Sequence, residues 1–572
     1  MPDQARTIPG RCQRDGTVLA SFPTEQSEIR RHSFTSHGLV DAAGPRIATP
    51  APSVAVGRAA RAIGRFLMTS TFDYIIVGAG SAGCVLASRL SEQDDVNVLL
   101  LENGSYDVLP EIRTPPMWPT LLGSEIDYSY RTTPQAEMDG ARHHWPRGKT
   151  VGGSGSINGM VYLRGHRNDF DAWSRAGASG WEFDNLLPYF RRAESVPTGN
   201  PCFRGTDGPM RPAPAQEPNP VSGAFVDAAV RLGHPLTTDF NADDQEGVGW
   251  HDLSITQGQR QSTAAAYLTP AVLGRRNLTV LTEARAMTLL LRGARCEGVL
   301  VRHGGEATEM RADREVIVSC GTVDSPRLLL LSGIGPGTEL LDVGIDVVQD
   351  LPGVGRNLHD HPLTSVIYEG KKEIPPGREN LAESSLLWRS DAALAGPDMQ
   401  IMCIHVPFHV AALQVPPNSF TLAVAAVPDS RGTIRLQNAE PDSPPLIDPQ
   451  YLSEPRDIDR LVHGVEVART IVADSAFDDW RGPEVHPGRS VTGVEDIEAF
   501  VRRGTGSYFH PVGTCAMGTG DEAVVDPDMR VRGVENLRVI DASVMPRIVC
   551  VNTNAATIMI AERGAELVRE GD

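Results

Sequence analysis

His510 stands in the run Ser507-Tyr508-Phe509-His510-Pro511-Val512-Gly513-Thr514, and the amide-bearing triplet Asn552-Thr553-Asn554 follows it. A neutral imidazole, with an ordinary pKa of about 6.5, can take a proton from a hydroxyl near neutral pH. A nearby amide can hold the same oxygen in place. Near the other end of the chain, Gly78-Ala79-Gly80-Ser81-Ala82-Gly83 directly follows the apolar run Phe72–Val77. In such a motif Gly78 permits the tight turn, Gly80 lets the backbone approach a phosphate, and Gly83 lets the next helix pack against the strand. That helix, expected over 82–91, aims its N-terminal amides and positive dipole end at a pyrophosphate. A second apolar run, 96–101, ends in Glu102, about 20 residues beyond the motif, where a dinucleotide's ribose hydroxyls need an acceptor. The start of the chain therefore holds a dinucleotide, and its end brings a histidine and an amide beside the reactive ring.

These groups are far apart in sequence, so the fold must bring them together. The chain has 572 residues, 41% of them apolar, enough for a large core and two or more structural units. Its net charge of −19, with no basic run, argues against nucleic acid and anionic membranes as partners. No stretch of 18 apolar residues predicts an integral membrane segment. None of the eight cysteines stands at C-x-x-C spacing, and no Cys/His zinc pattern occurs. They read as buried packing residues in a reducing, cytoplasmic protein, and no metal is expected. Residues 1–67 differ from the rest, with net charge +4 against −23 for the remainder and no sustained periodicity. They are expected to be a disordered or non-native extension without a role. The alternative is a basic amphipathic helix over 54–67 that touches a membrane surface.

The segment 145–159 is a glycine- and serine-rich loop whose backbone amides suit a planar or phosphorylated ligand. Strand character returns at 277–281 and 314–321, and Ser325-Pro326 is expected to start a helix as N-cap and N1. The region from about 364 to 500 reads as a second, partly antiparallel domain that includes 421–427 and a Met- and Ile-rich strand at 398–404. His405 and His409 are expected to border the substrate pocket there. His359-Asp360-His361 reads as a loop near the cofactor. The fold class is α/β: a Rossmann-like cofactor domain, discontinuous in sequence, with a mixed or antiparallel-sheet substrate domain. Its expected pieces are 68–165, 221–362 and 506–572 for the cofactor and 166–220 and 363–505 for the substrate.

Five separated blocks, in order, resemble the glucose–methanol–choline (GMC) flavoprotein oxidoreductases, and the chain looks closest to their bacterial choline-dehydrogenase-like branch. The blocks are the glycine motif, Arg147 to Gly159, Gly321 to Pro336, His510 to Cys515, and Asp541 to Thr557. The resemblance implies FAD, not NAD. It implies that Gly78, Gly80, Ser81, Ala82, Gly83 and Glu102 bind its ADP half. It places Gly152, Gly153, Asn158, Gly159, Met160 and Val161 along the isoalloxazine and its phosphates, and Ala286 at the adenine. Asp541, Ala542, Ala555 and Thr557 would close over the ribityl and pyrimidine end. His510 and Asn554 would be the catalytic pair. Members with covalent FAD carry a histidine where this chain has Ile157, so non-covalent FAD is expected.

The implied reaction oxidises an alcohol, expected to be primary, to an aldehyde: His510 takes the hydroxyl proton and a hydride passes to flavin N5. Electrons would leave to O2 or to a quinone or other redox carrier. The alternatives on this fold are a flavin-containing hydroxynitrile lyase and a fatty-acid photodecarboxylase. A decarboxylase needs an arginine to grip its carboxylate, and 398–404 offers none.

Overall fold

The computed structural model describes residues 71–243 and 245–571. The expectations for 1–67 lie outside the described residues. Strand β1 (Phe72–Val77) is buried among apolar side chains at the middle of a seven-stranded sheet. It pairs in parallel with β2 (Val98–Leu101), Ile75 facing Leu99, and with β3 (Glu306–Val318), Ile75 facing Val316. Leu278–Leu281 adds in parallel outside β2, and β4 (Leu537–Val539) adds in parallel outside β3. Val98–Leu101 and the paired ends Ile75–Val77 and Val316–Val318 are continuous Val, Ile and Leu runs because helices cover both faces of a parallel sheet. The first half of β3 leaves that layer and pairs antiparallel with Arg295–His303, which pairs in turn with Ala284–Arg292.

The glycine motif folds as its spacing predicts. Gly78 sits at φ +100°, and a Cβ there would lie 2.6 Å from the Ser319 carbonyl oxygen. Helix α1 (Ser81–Leu90) follows at once, and its packing face holds Gly83, whose added Cβ would meet the Gly78 oxygen at 1.9 Å. Behind α1 lies α3 (Asn554–Glu570), the last helix of the described chain.

One helix start differs from expectation. Helix α2 spans Gly321–Leu331, so Ser325 is not its cap and Pro326 lies inside it. A proline there has no N–H for the Thr322 carbonyl four residues back. The Thr514 hydroxyl replaces it, donating to that oxygen at 2.6 Å.

The second sheet is antiparallel, in the order Arg481–His486, Pro362–Gly370, Ser419–Ala426, Met399–Ile404, Ser384–Trp388 and Gly247–Trp250. Gly506–Ser507 also pairs with Pro362–Gly370. The helix Pro455–Ala473 packs across it. Two expected boundaries are corrected. Gly247–Trp250 falls in the range assigned to the cofactor domain but is an edge strand of the second sheet. Its Gly-Val-Gly-Trp sequence carries too few apolar residues to announce a strand. Phe183–Ala193 falls in the range assigned to the substrate domain but packs on α3. Amphipathic spacing marks its buried face, not the partner that covers it.

After Ser507 the chain crosses between the sheets. Tyr508 N–H donates to the His361 carbonyl on the second-sheet side, and Cys515 N–H donates to the Ser543 carbonyl just beyond β4. His510 lies on this crossing. Among the described residues Cys84, Cys296, Cys320, Cys403, Cys515 and Cys550 are free thiols, and no helix is long and apolar enough to cross a membrane.

Candidate active site

A cleft runs from the β1–α1 turn to His510. Gly78, Gly80, Ser81 and Ala82 line its floor, where α1 begins without a side-chain cap, so the first-turn amides are available to an anion. Glu102 lines the same end. Its two oxygens accept from the Ala79 and Gly104 N–H groups at 2.9 and 2.7 Å, and burial pushes its pKa up to about 7. The second glycine loop leans on the first: Gly152 N–H donates to the Ala79 carbonyl at 2.7 Å, and a Cβ on Gly153 would stand 2.7 Å from the Gly80 Cα. Gly153, Asn158, Gly159, Met160 and Val161 line the cleft beyond, as do Ala286, Ala542 and Thr557. The Asn158 oxygen accepts from Met160 N–H at 3.0 Å and from Arg260 at 2.8 Å, which leaves its Nδ2 for a ligand.

Uncapped helix amides, two side-chain-free loops and a carboxylate at the ribose end fit the FAD expected from sequence. Ile157 lines the cleft and offers no nucleophile for a covalent bond. Some expected contacts act indirectly. Gly83, Gly152 and Ala555 do not line the cleft; the two glycines permit close packing, and Ala555 is buried on α3. Asp541 lines it, but Gly321 N–H, Ser543 N–H and the Ser325 hydroxyl occupy its carboxylate.

At the far end the pairing of His510 is corrected. Its Nε2 faces Asn552 Nδ2 at 3.1 Å, not Asn554. Asn554 opens α3 and donates to the Ser81 hydroxyl at 2.8 Å, toward the glycine motif. The two asparagines are two residues apart on a chain that is just entering a helix, so they point in different directions. Gln400 Nε2 donates to Asn552 Oδ1 at 3.4 Å, which turns the Asn552 amino group toward His510. The hydrogen-bond network thus assigns His510 Nε2 as an acceptor and its proton to Nδ1, which faces His361 Nδ1 at 3.0 Å. Burial, then His361 and Arg147, hold the His510 pKa well below its ordinary value. Burial also pushes His361 down to about 3. The histidine facing the cleft is neutral, as a base must be.

The walls around it are apolar and aromatic: Tyr508, Phe509, Phe408, Trp118, Met402 and Ile404. Phe408 stands 5.9 Å from Trp118 and 6.5 Å from Phe509 between ring centres. The carboxylates lining the cleft are Glu102, Asp324 and Asp541, with none at this end. His405 and His409, expected at the pocket border, do not line it; His405 is buried, and His409 bonds the Val410 carbonyl. Sequence reasoning did not assign Asn552, His361 or Arg147. The signals were present: the first asparagine of the triplet, the last histidine of His359-Asp360-His361, and the arginine that opens the 147–159 block.

Comparison with known proteins places this arrangement. A family model described as GMC oxidoreductase matches residues 72–363, and a second of the same description matches 428–561. The chain is 40% identical over 545 residues to the mitochondrial choline dehydrogenase of Homo sapiens, covering 87% of this chain and 90% of that one. It is 39% identical over 525 residues to an oxygen-dependent choline dehydrogenase of Sinorhizobium fredii, covering 86% and 95%. Its fold matches the crystal structure of pyridoxine 4-oxidase from Mesorbium loti with a TM-score of 0.84 and 38% identity, covering 87% and 99%. The chain belongs to the GMC oxidoreductase family.

Proposed function

We propose that the protein is an FAD-dependent oxidoreductase that converts a primary alcohol to an aldehyde, with His510 as the base and Asn552 beside it. The observation that carries this reading is the His510 Nε2 acceptor, 3.1 Å from the Asn552 amino group at the apolar end of the cleft. FAD, bound non-covalently, supplies the two-electron acceptor. A substrate hydroxyl between the two side chains gives its proton to His510 Nε2 and accepts a hydrogen bond from Asn552 Nδ2. General-base catalysis of this kind contributes about 10²–10⁴-fold. His361 holds the ring by its other nitrogen. Trp118, Phe408, Phe509 and Tyr508 keep water from the reacting carbon.

The substrate is an uncharged alcohol on an aromatic or apolar frame. The relatives named above act on choline and on pyridoxine by their names. Aromatic faces attract a quaternary ammonium, but no carboxylate completes a cation site at this end, whereas flat rings suit the wall. The lyase and decarboxylase readings are not favoured. Arg147, the arginine near His510, already donates its Nε and Nη2 to the Pro146 and Phe509 carbonyls. A cytoplasmic setting belongs to this reading.

Anaerobic mixing with benzylic, aliphatic and quaternary-ammonium alcohols tests the proposal. Bleaching of the flavin band by an aryl or apolar alcohol, lost in His510→Ala with FAD retained, is the expected result. Reoxidation on admitting air then separates O2 from a quinone or other carrier. Bleaching by choline alone would overturn the substrate class, and undiminished bleaching in His510→Ala would overturn the base.

A further inference from the structure

Phe509 adopts φ +65°, the left-handed region that a bulky residue seldom enters. Such a conformation persists only where the surroundings over-determine it. Here the Phe509 N–H donates to the Ser507 hydroxyl at 2.8 Å, and its carbonyl accepts from Arg147 Nη2 at 2.6 Å. The other side of that same peptide is the His510 N–H, which donates to Asp360 Oδ1 at 2.7 Å. One peptide plane is thus gripped by a cation on its oxygen and an acid on its N–H. The acid is itself fixed: the Ser507 and Tyr451 hydroxyls donate to its other oxygen, and Trp145 Nε1 donates to Tyr451 at 3.0 Å. Trp145 and Arg147 come from the same short segment, so one stretch of chain supports both grips.

We propose that Arg147 is a positioning residue for His510: with Asp360 it clamps the Phe509–His510 peptide plane and so fixes where the imidazole stands. This rests on His510 being the base. The charged and titratable groups facing His510 are His361 at its Nδ1, the Tyr508 ring at 4.2 Å, Asp360 at its backbone N–H, and Arg147. His361 is neutral and Tyr508 is uncharged near neutral pH. Asp360 meets the backbone, and its negative field is drawn onto three donors. Burial is the first cause that disfavours protonation of the ring, and His361 and then the Arg147 charge act in the same direction. Guanidinium is also suited to the grip because its planar fork sits rigidly against two carbonyls, which an ammonium cannot copy.

The test compares Arg147→Met and Arg147→Lys in the FAD-loaded enzyme, using whichever alcohol bleaches the wild type. FAD content and thermal melting confirm loading. The measurements are kcat and KM separately, and the pH profile of kcat/KM. Arg147→Met is expected to lower kcat about 10–100-fold with KM little changed. Its acid limb should move upward, because one of the causes that hold the ring unprotonated is then gone. Arg147→Lys keeps the charge and loses the fork, so its limb stays near wild type while kcat still falls. A purely structural role would not move the limb in one variant and spare it in the other. Loaded Arg147→Met with wild-type kcat and limb would overturn the inference. Equal limb shifts in the two variants would overturn the contribution assigned to the Arg147 charge. If Arg147→Met does not load, a wild-type kcat in Arg147→Lys overturns the clamp. His510→Ala separates the two levels: activity surviving in that variant removes the base reading itself, whereas its loss beside an unaffected Arg147→Met removes only the clamp.

Discussion

Exchanging each of two neighbouring asparagines for alanine gives opposite phenotypes. Asn552 places its amino group 3.1 Å from the His510 acceptor nitrogen, where the proposed reaction would hold its oxygen. Removing one pre-aimed donor from a reacting oxygen typically costs about 10²–10³ in kcat. Asn552 makes no contact with the glycine motif, so Asn552→Ala should bind FAD as the wild type does. Asn554 donates instead to Ser81, in the first turn of α1. A net hydrogen-bond contribution of about 0.5–1.5 kcal/mol corresponds to roughly a 2–13-fold loss of FAD affinity. With FAD saturating, Asn554→Ala should turn over within a few-fold of wild type. The assay is FAD titration by flavin fluorescence, followed by stopped-flow reduction at saturating FAD. A hundredfold slower reduction in saturated Asn554→Ala, beside near-normal Asn552→Ala, would refute the assignment of the two side chains.

Three other perturbations are informative. Gly78→Ala puts a Cβ 2.6 Å from the Ser319 carbonyl at φ +100°, and should abolish FAD retention on a desalting column and lower Tm. Thr514→Val leaves the Thr322 carbonyl beside Pro326 without its hydroxyl partner, at a cost of about 1–3 kcal/mol and roughly 1–3 °C in Tm by scanning calorimetry. Burial lowers the His251 pKa to about 4, between the Ser385 hydroxyl and the Ala382 carbonyl. Above its unfolded pKa of about 6.5 that residue is neutral in both states and favours neither. As pH falls below 6.5 the unfolded chain binds the proton first, so stability drops by about 2 kcal/mol by pH 5. His251→Gln should flatten the fall of Tm between pH 6.5 and 5, and an unchanged slope would discount this histidine.

The cofactor end was legible in the sequence because its constraints are local. A glycine turn, a buried strand and an acid about 20 residues on are fixed by backbone geometry, and β1, α1 and β2 stand where that spacing predicts. His510, the proposed base, stood out for the same reason, as a single residue in a distinctive run. Its partner did not, because the sequence places Asn552 and Asn554 equally close to the ring. Only the entry into α3 and the Gln400 contact from the second sheet decide between them. Gly247–Trp250 was hidden in a similar way, since its strand identity comes from pairing with Ser384–Trp388 and not from its own composition. Pro326 misled for a converse reason: its usual role as a helix starter is set aside here by a threonine hydroxyl 188 positions away in sequence.

The parallel sheet is closed on one side by β4, and α3 covers α1, yet both come from the last forty residues of the chain. During synthesis one edge of β3 and one face of α1 stay uncovered until these later segments have been made. Until then FAD has no finished site to bind and cannot stabilise the nascent chain. A protein lacking β4 and α3 would lose Asn552 and also leave the edge of β3 and a face of α1 unprotected, a natural target for chaperones and proteases. Supply of the flavin therefore bears on the yield of folded enzyme only after β4 and α3 have been made.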